Sequence, residues 1–119
     1  MATTSPTKML FRVVVRELES WLLADRSNLA DFLRVDVTLI PTAPEELADP
    51  KRELINIARH SRLKRIRSAI VPDPDTTAQV GKLYVSEMVQ FIDRGWDLKI
   101  ARTNAPSLAK CLAALESLE

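Results

Sequence analysis

Proline rather than glycine punctuates this chain of 119 residues, which contains seven prolines and two glycines. An all-β chain with many tight turns needs residues that accept a positive φ, and glycine is the usual one. A proline instead ends one helix or occupies the first turn of the next. The scarcity of glycine therefore argues against an all-β fold and favours helices separated by prolines.

The length and composition predict one soluble domain, residues 1–119, in the cytoplasm. The chain is 46% hydrophobic and 28% charged, which is typical of a globular domain. The only cysteine, Cys111, falls in an apolar helical stripe, so we expect a buried thiol in a reducing compartment. No apolar run approaches the roughly 18 residues of a membrane span, so no membrane partner is expected. The net charge of +1 leaves any attraction for nucleic acid to local clusters of charge.

Two short apolar stretches predict β-structure. Phe11–Val15 is β-branched in composition, and Val35–Ile40 alternates apolar and polar residues before Pro41. The two strands could pair with each other. Otherwise Phe11–Val15 is helical, or it pairs with a second chain, which would make a homodimer through the N-terminal strand. We therefore expect an α+β fold that is mostly helical, with one or two short strands and four or five helices.

Helix signals follow the first strand. An apolar stripe at three-and-four spacing comprises Leu18, Trp21, Leu22, Asp25, Leu29, Phe32 and Leu33. Asp49 and Pro50 form a capped helix start, Asp97 can cap another helix, and Pro106 opens the last one. A helix over 82–93 is expected to end at Gly95 and to bury Tyr84, Val85, Met88, Phe91 and Ile92. The final apolar stripe comprises Leu108, Cys111, Leu112, Leu115 and Leu118.

Asp25 stands out because a carboxylate in an apolar stripe is costly to bury without a partner. In one interpretation it caps a short helix that begins at Arg26. In the other, Glu19 and Asp25 help to line a divalent-metal site. Residues six positions apart lie on nearly opposite sides of one helix, so the metal interpretation requires a helix break near Ala24.

The strongest cluster of positive charge lies in residues 59–67 and comprises Arg59, Arg62, Lys64, Arg65 and Arg67. On a helix, Leu63, Ile66 and Ile70 would face inward, leaving the cations outside. Such a face can be merely solvated, can bind nucleic-acid phosphate, or can bind an acidic protein. No aromatic residue is interleaved, so base stacking is not expected. The only histidine, His60, has no second zinc ligand beside it.

A rigid acidic hinge, Val71–Asp75, contains Pro72 and Pro74 and separates two parts of the domain. Residues 9–71 form the expected strand-helix lobe, after a frayed lead-in over 1–8. Residues 72–119 form the expected C-terminal helical pair.

Arg16–Asp25 resembles the "E-x-W-[LF]-L-A-D" signature of the bacterial Toprim-like domain-of-unknown-function family 4276. Later pieces follow in the same order: Asp49-Pro50-Lys51, Gly81-Lys82-Leu83-Tyr84 and Ala105-Pro106-Ser107-Leu108. The resemblance extends over residues 12–118.

The resemblance implies a relation to a magnesium-dependent phosphoryl-transfer domain, an ATPase partner and a phage-defence context. It implies that Glu19 lies near the metal site, with Asp25 as the second candidate. Family members also have acidic strands before the signature, whereas here no acid or glycine precedes Glu17. The chain therefore resembles the C-terminal half of the family fold, and we expect no cofactor bound by this chain alone, with magnesium bound only if the site is completed.

These observations predict a non-catalytic binding or assembly module in a nucleic-acid-related setting, with no catalytic residue assigned. Two alternatives stay open. One is a metal-dependent nuclease completed by a missing N-terminal half or a second chain. The other is a structural homo-oligomer without a nucleic-acid role.

Overall fold

The computed structural model describes residues 17–118, in which helices joined by loops are the regular secondary structure. We number the α-helices α1 (17–23), α2 (Arg26–Leu33), α3 (Pro50–Ala58), α4 (Lys64–Ile70), α5 (Tyr84–Arg94), α6 (Leu98–Asn104) and α7 (Pro106–Glu116). Short 3-10 helices occupy Val37–Leu39 and Pro44–Glu46. No strand occurs within 17–118, so the prediction of an α+β fold is wrong, whereas the mostly helical character is confirmed. The expected strand at Phe11–Val15 and its proposed dimer contact lie outside the described residues.

The expected strand at Val35–Ile40 is instead a 3-10 turn, because a local cap competes with extended backbone. The Asp36 side chain accepts a hydrogen bond from the Thr38 backbone N–H at 2.9 Å and another from the Thr38 hydroxyl at 2.8 Å. The Arg26 guanidinium occupies the carbonyls of Ile40 and Val37, at 2.9 and 3.1 Å. Asp36 and Arg26 therefore satisfy the polar groups that a neighbouring strand would have used.

The predicted helix starts are confirmed. Asp49 accepts from the Arg52 backbone N–H at 3.1 Å, and Pro50 is the first residue of α3. Asp97 accepts from the N–H groups of Lys99 and Ile100. Pro106 opens α7. Each start is specified within a few residues of chain, which is why the sequence alone locates it.

Two apolar clusters hold the helices together. The larger combines the inner faces of α1 to α5, and its fully buried members include Leu22, Leu29, Leu54, Ile66 and Phe91. The smaller cluster joins the end of α1 to α6 and α7 and comprises Trp21, Ala24, Ala101, Ala105, Leu108 and Cys111. Cys111 is a buried free thiol, as predicted.

The expected helix through the basic segment 59–67 is interrupted. α3 ends at Ala58, and α4 begins only at Lys64. The Ser61 hydroxyl accepts from the Leu63 backbone N–H at 3.0 Å, a local bond that competes with helix. Leu63, predicted to face inward, is therefore exposed, whereas Ile66 and Ile70 are buried as predicted.

α5 buries a different face from the expected one. Tyr84, Glu87, Met88 and Phe91 face the core. Val85 is 69% exposed and Ile92 38% exposed, so the prediction that both face inward is wrong. The buried face includes the carboxylate of Glu87, which pairs there with Arg65 of α4.

No helix within residues 17–118 is both long and apolar enough to cross a membrane.

Gly81 is predicted to tolerate no side chain, because the loop after α4 is clamped onto the end of that helix. The Gly81 N–H donates to the Ile70 carbonyl at 2.8 Å, and Leu83 N–H donates to the Ala69 carbonyl at 3.0 Å. A Cβ at Gly81 would lie 2.6 Å from the Ile70 carbonyl carbon and closer still to the Ala69 oxygen. We expect Gly81→Ala to lower the free energy of unfolding by about 2 kcal/mol or more, measured by urea denaturation.

Gly95→Ala is the matched control. Its added Cβ would lie 3.2 Å from the Phe91 side chain and 3.7 Å from the Phe91 carbonyl oxygen, which is ordinary contact with the backbone. We expect a change within about 1 kcal/mol there. Equal losses in the two variants would contradict the backbone clamp at Gly81.

Candidate functional site

Two adjoining surface hollows form a continuous basic groove between α3, α4 and the loop over residues 71–82. The larger hollow has a volume of about 780 Å³ and the smaller about 350 Å³. Arg59 and Pro72 line both, so the two hollows meet at these residues. We call this surface the basic groove.

Helical spacing places the side chains of the groove. From α3 come Arg52, Asn56 and then Arg59 just after the helix, at intervals of four and three residues. From α4 come Lys64, Arg67 and Ser68 at the same kind of spacing. Residues three and four apart share a helix face, so each helix offers one continuous row to the groove.

The far wall is the proline-containing loop, which the clamp at Gly81 holds against the end of α4. The larger hollow is lined there by Val71, Pro72, Pro74, Val80 and Lys82. Asp73 also lines it, and its carboxylate accepts from the Asp75 backbone N–H at 3.0 Å. The wall is therefore shaped by fixed backbone and by apolar side chains, with Lys82 adding a cation.

Positive charge dominates the basic groove. Four cations line the larger hollow and three the smaller, with Arg59 common to both: Lys51, Arg52, Arg59, Lys64, Arg67 and Lys82. Among the described lining residues, only Asp49 and Asp73 oppose them. In the described part of the chain the only ion pair joins Arg65 to Glu87, outside the groove. The groove cations are thus not neutralised by a described carboxylate and can bind an anion.

The structure brings together three of the five cations that the sequence singled out. Arg59, Lys64 and Arg67 line the basic groove, and the Arg67 guanidinium also donates to the Ser61 carbonyl. Arg62 lies outside the lining residues, and Arg65 is bound to Glu87.

Sequence reasoning missed the other three groove cations, Lys51, Arg52 and Lys82. A local signal existed for Arg52, which lies seven residues before Arg59 and so on the same side of a helix. No local sequence pattern predicts that Lys82 lines the groove, because only the fold of the proline loop brings it beside α4.

Glu19, predicted as a metal ligand, is bound to Tyr84. Both residues are buried, and the Tyr84 hydroxyl donates to Glu19 Oε2 at 2.8 Å. Burial, and then the charge and the hydrogen bond of Glu19, raise the pKa of Tyr84 far above its ordinary value. The contact ties the first turn of α5 to α1.

Asp25, the second predicted ligand, is fully buried at the break between α1 and α2. The break near Ala24 that the metal interpretation required is present. Asp25 occupies the N-cap position of α2, yet its side chain makes no capping bond to that helix. Its Oδ2 accepts instead from the Asp97 N–H at 2.7 Å and from the Asn28 side chain at 2.8 Å, and its Oδ1 has no partner. Asp25 therefore has the predicted N-cap position. Its carboxylate, however, binds the Asp97 N–H and the Asn28 side chain instead of a backbone N–H of α2.

This arrangement does not fit a hydrated magnesium ion. Magnesium is held in an octahedral set of oxygens and usually keeps several waters, whereas Glu19 and Asp25 are buried and bound to Tyr84, Asn28 and the Asp97 N–H. Within residues 17–118 no three His, Cys, Asp or Glu residues are grouped to hold a metal ion. The assignment of Glu19 and Asp25 as metal ligands stays a prediction of the sequence.

The Tyr84–Glu19 contact predicts loss of stability in alkali. An unfolded tyrosine ionises near pH 10, and the folded one only at higher pH. The contact therefore stabilises the fold fully below about pH 10, and this stabilisation is lost as the pH rises further. Tyr84 is the only tyrosine, so the ultraviolet absorbance of tyrosinate reports this residue alone.

We expect that absorbance to rise only together with unfolding, followed by circular dichroism in the same titration. In Glu19→Gln, which removes the carboxylate charge, Tyr84 should ionise at a lower pH than in the parent protein. Ionisation of the folded parent near pH 10 would show that Tyr84 is not held as described.

No protein-family model, no curated protein and no solved structure matches this chain.

Proposed function

We propose that this chain is a non-catalytic module that binds the phosphate backbone of nucleic acid in the basic groove. The observation that carries the proposal is the convergence of six cations from α3, α4 and the proline loop on two adjoining hollows. A lone basic helix face is most often a solvated face. A concave surface with cations on facing walls is better suited to enclose an anion.

The groove chemistry favours phosphate over a base. Arginine binds phosphate through a planar fork of N–H donors, and lysine through a compact charge. No aromatic side chain is among the described residues that line either hollow, so those residues offer successive bases no platform on which to stack. Binding should therefore be salt-sensitive and nearly independent of base sequence.

The spacing of the cations suits an extended polyanion. Arg52 and Arg59 are seven residues apart, which corresponds to about 10 Å along a helix axis. Lys64 and Arg67 continue the charged surface on α4. A string of phosphates can contact several of these residues at once, whereas a free phosphate ion could reach only a few.

The resemblance of Arg16–Asp25 to the Toprim-like family supports a nucleic-acid setting and motivates three further parts of the proposal. They are a cytoplasmic location, an ATPase partner and a role in phage defence. The buried free thiol of Cys111 is compatible with a reducing compartment.

Charge reversal in the basic groove should weaken nucleic-acid binding. Arg59 is the sharpest test because it lines both hollows. We expect Arg59→Glu to weaken affinity for a short labelled DNA duplex at least about tenfold. The slope of log affinity against log salt should fall in magnitude by about one or more. Fluorescence anisotropy over a series of potassium chloride concentrations measures both quantities.

Arg62→Glu is the matched control, since Arg62 is an exposed arginine of the same basic segment that does not line the groove. It should retain most of the parental affinity. Equal losses in the two variants would mean that net charge rather than the groove matters. If the double variant, Arg59→Glu with Lys64→Glu, binds the duplex as tightly as the parent protein, the proposal is refuted.

A further inference from the structure

The outer face of α5 carries an apolar stripe along its length. Val85 is 69% exposed, Val89 58% and Ile92 38%. These residues follow one another at intervals of four and three, so they lie on one side of the helix. Tyr84, Glu87, Met88 and Phe91 are buried on the adjoining side of the helix, so the stripe borders the core-facing side.

Such a stripe indicates a surface that another molecule covers. Isolated exposed aliphatic residues are ordinary, but contiguous apolar patches on a small domain mark interaction sites. The charges at the two ends of the stripe indicate which molecule. Lys82 lies just before the first turn of α5, and Asp93 lies in its last turn. Arg94 is also in the last turn, but helical geometry places it on the side away from the stripe.

These charges are self-complementary when two α5 helices run antiparallel. If the helices cross on the stripe, at the level of residues 87–88 along the axis, residues equally distant from that level face one another. Val85 then packs beside Val89 of the second copy, and Lys82 approaches Asp93 of the second copy. A parallel arrangement would instead bring like charges together at both ends.

We propose that a second copy of this chain covers the stripe, with α5 packed antiparallel on α5 across a two-fold axis. A two-fold axis uses the same patch on both subunits, so the Lys82–Asp93 contact forms twice. The contact is one 11-residue helix long, which is about 16 Å. A contact of that size falls among small interfaces, so the dimer should dissociate in the micromolar range.

Sedimentation equilibrium of the full chain over a concentration series tests this assembly. The parent protein should show a reversible monomer–dimer equilibrium. Val89→Glu places a charge in the middle of the apolar contact and should raise the dimer dissociation constant at least about tenfold. Val85→Lys provides a second disruption at another point of the stripe.

Leu115→Glu is the matched control, because Leu115 is an exposed aliphatic residue on α7. It should leave the dimer dissociation constant within about twofold of the parental value, well short of the tenfold that 1.4 kcal/mol produces. Circular dichroism and urea unfolding confirm that each variant is folded, as expected for changes at exposed positions.

Charge exchange tests the antiparallel register. Asp93→Lys alone should weaken the dimer, because it faces Lys82 of the second copy. Adding Lys82→Glu should restore it, because the pair is then reversed rather than removed. A parent protein that remains monomeric, or a double variant no tighter than Asp93→Lys, would overturn the proposal. The proposal would also be overturned if Val14→Pro abolished the dimer and Val89→Glu did not. The contact would then lie at the predicted N-terminal strand.

Discussion

A buried carboxylate at a helix break connects the two apolar clusters of this fold. Asp25 is fully enclosed, and its Oδ2 accepts the Asp97 backbone N–H at 2.7 Å, from a residue 72 positions away. Burying a carboxylate is costly unless hydrogen bonds satisfy it, so Asp25 favours the arrangement in which α6 begins beside it. The surrounding bonds act in the same direction. Trp96 donates to the Trp21 carbonyl and Asn104 to the Ala24 carbonyl, each at 3.0 Å, satisfying backbone groups that the break leaves free.

The same network of hydrogen bonds extends to the segment between α2 and α3. It does not involve the charged rows of α3 and α4. The Trp21 indole donates to the Ser107 hydroxyl at 2.8 Å, and the Ser107 hydroxyl and N–H both donate to Glu45. These contacts place α7 against the break. α3 and α4 are packed against each other through their apolar faces, so their charged rows stay exposed. The Gly81 clamp adds the far wall, and the basic groove therefore depends on core packing as much as on its own cations.

Local signals in the sequence were sufficient to predict where helices begin. Asp49, Asp97 and Pro106 act within three residues of their own positions, so no knowledge of the fold is needed. The error at Val35–Ile40 has a different origin. Its alternation is real, but Asp36 caps a turn and Arg26, ten residues earlier, binds the carbonyls. A side chain from another helix stabilises the turn conformation of this backbone, and the spacing of apolar residues gives no information about such a contact.

A buried charge also escaped the hydrophobic pattern. That pattern turns Val85 and Ile92 inward, whereas α5 buries Glu87, paired with Arg65, and leaves Val85 and Ile92 exposed. The same pair removes Arg65 from the set of free cations, because a buried carboxylate left without its partner is strongly unfavourable. For the candidate site, the sequence could therefore locate the basic segment but could not separate Arg59, Lys64 and Arg67 from Arg62 and Arg65. For Arg65 that separation depends on its contact with Glu87, which lies 22 residues away in the chain.

The distribution of charge links the groove to the dimer that we propose. The whole chain carries a formal charge of only +1, whereas six cations and two carboxylates line the basic groove. The rest of the molecule is therefore net negative, and its field directs a polyanion toward one side. Lys82 lines the groove and also lies at the edge of the α5 stripe, so pairing through α5 would set two grooves close to one axis. A nucleic acid long enough to reach both would enter the second groove at a high effective concentration. By mass action it would in turn favour the dimer, so two weak contacts would strengthen each other.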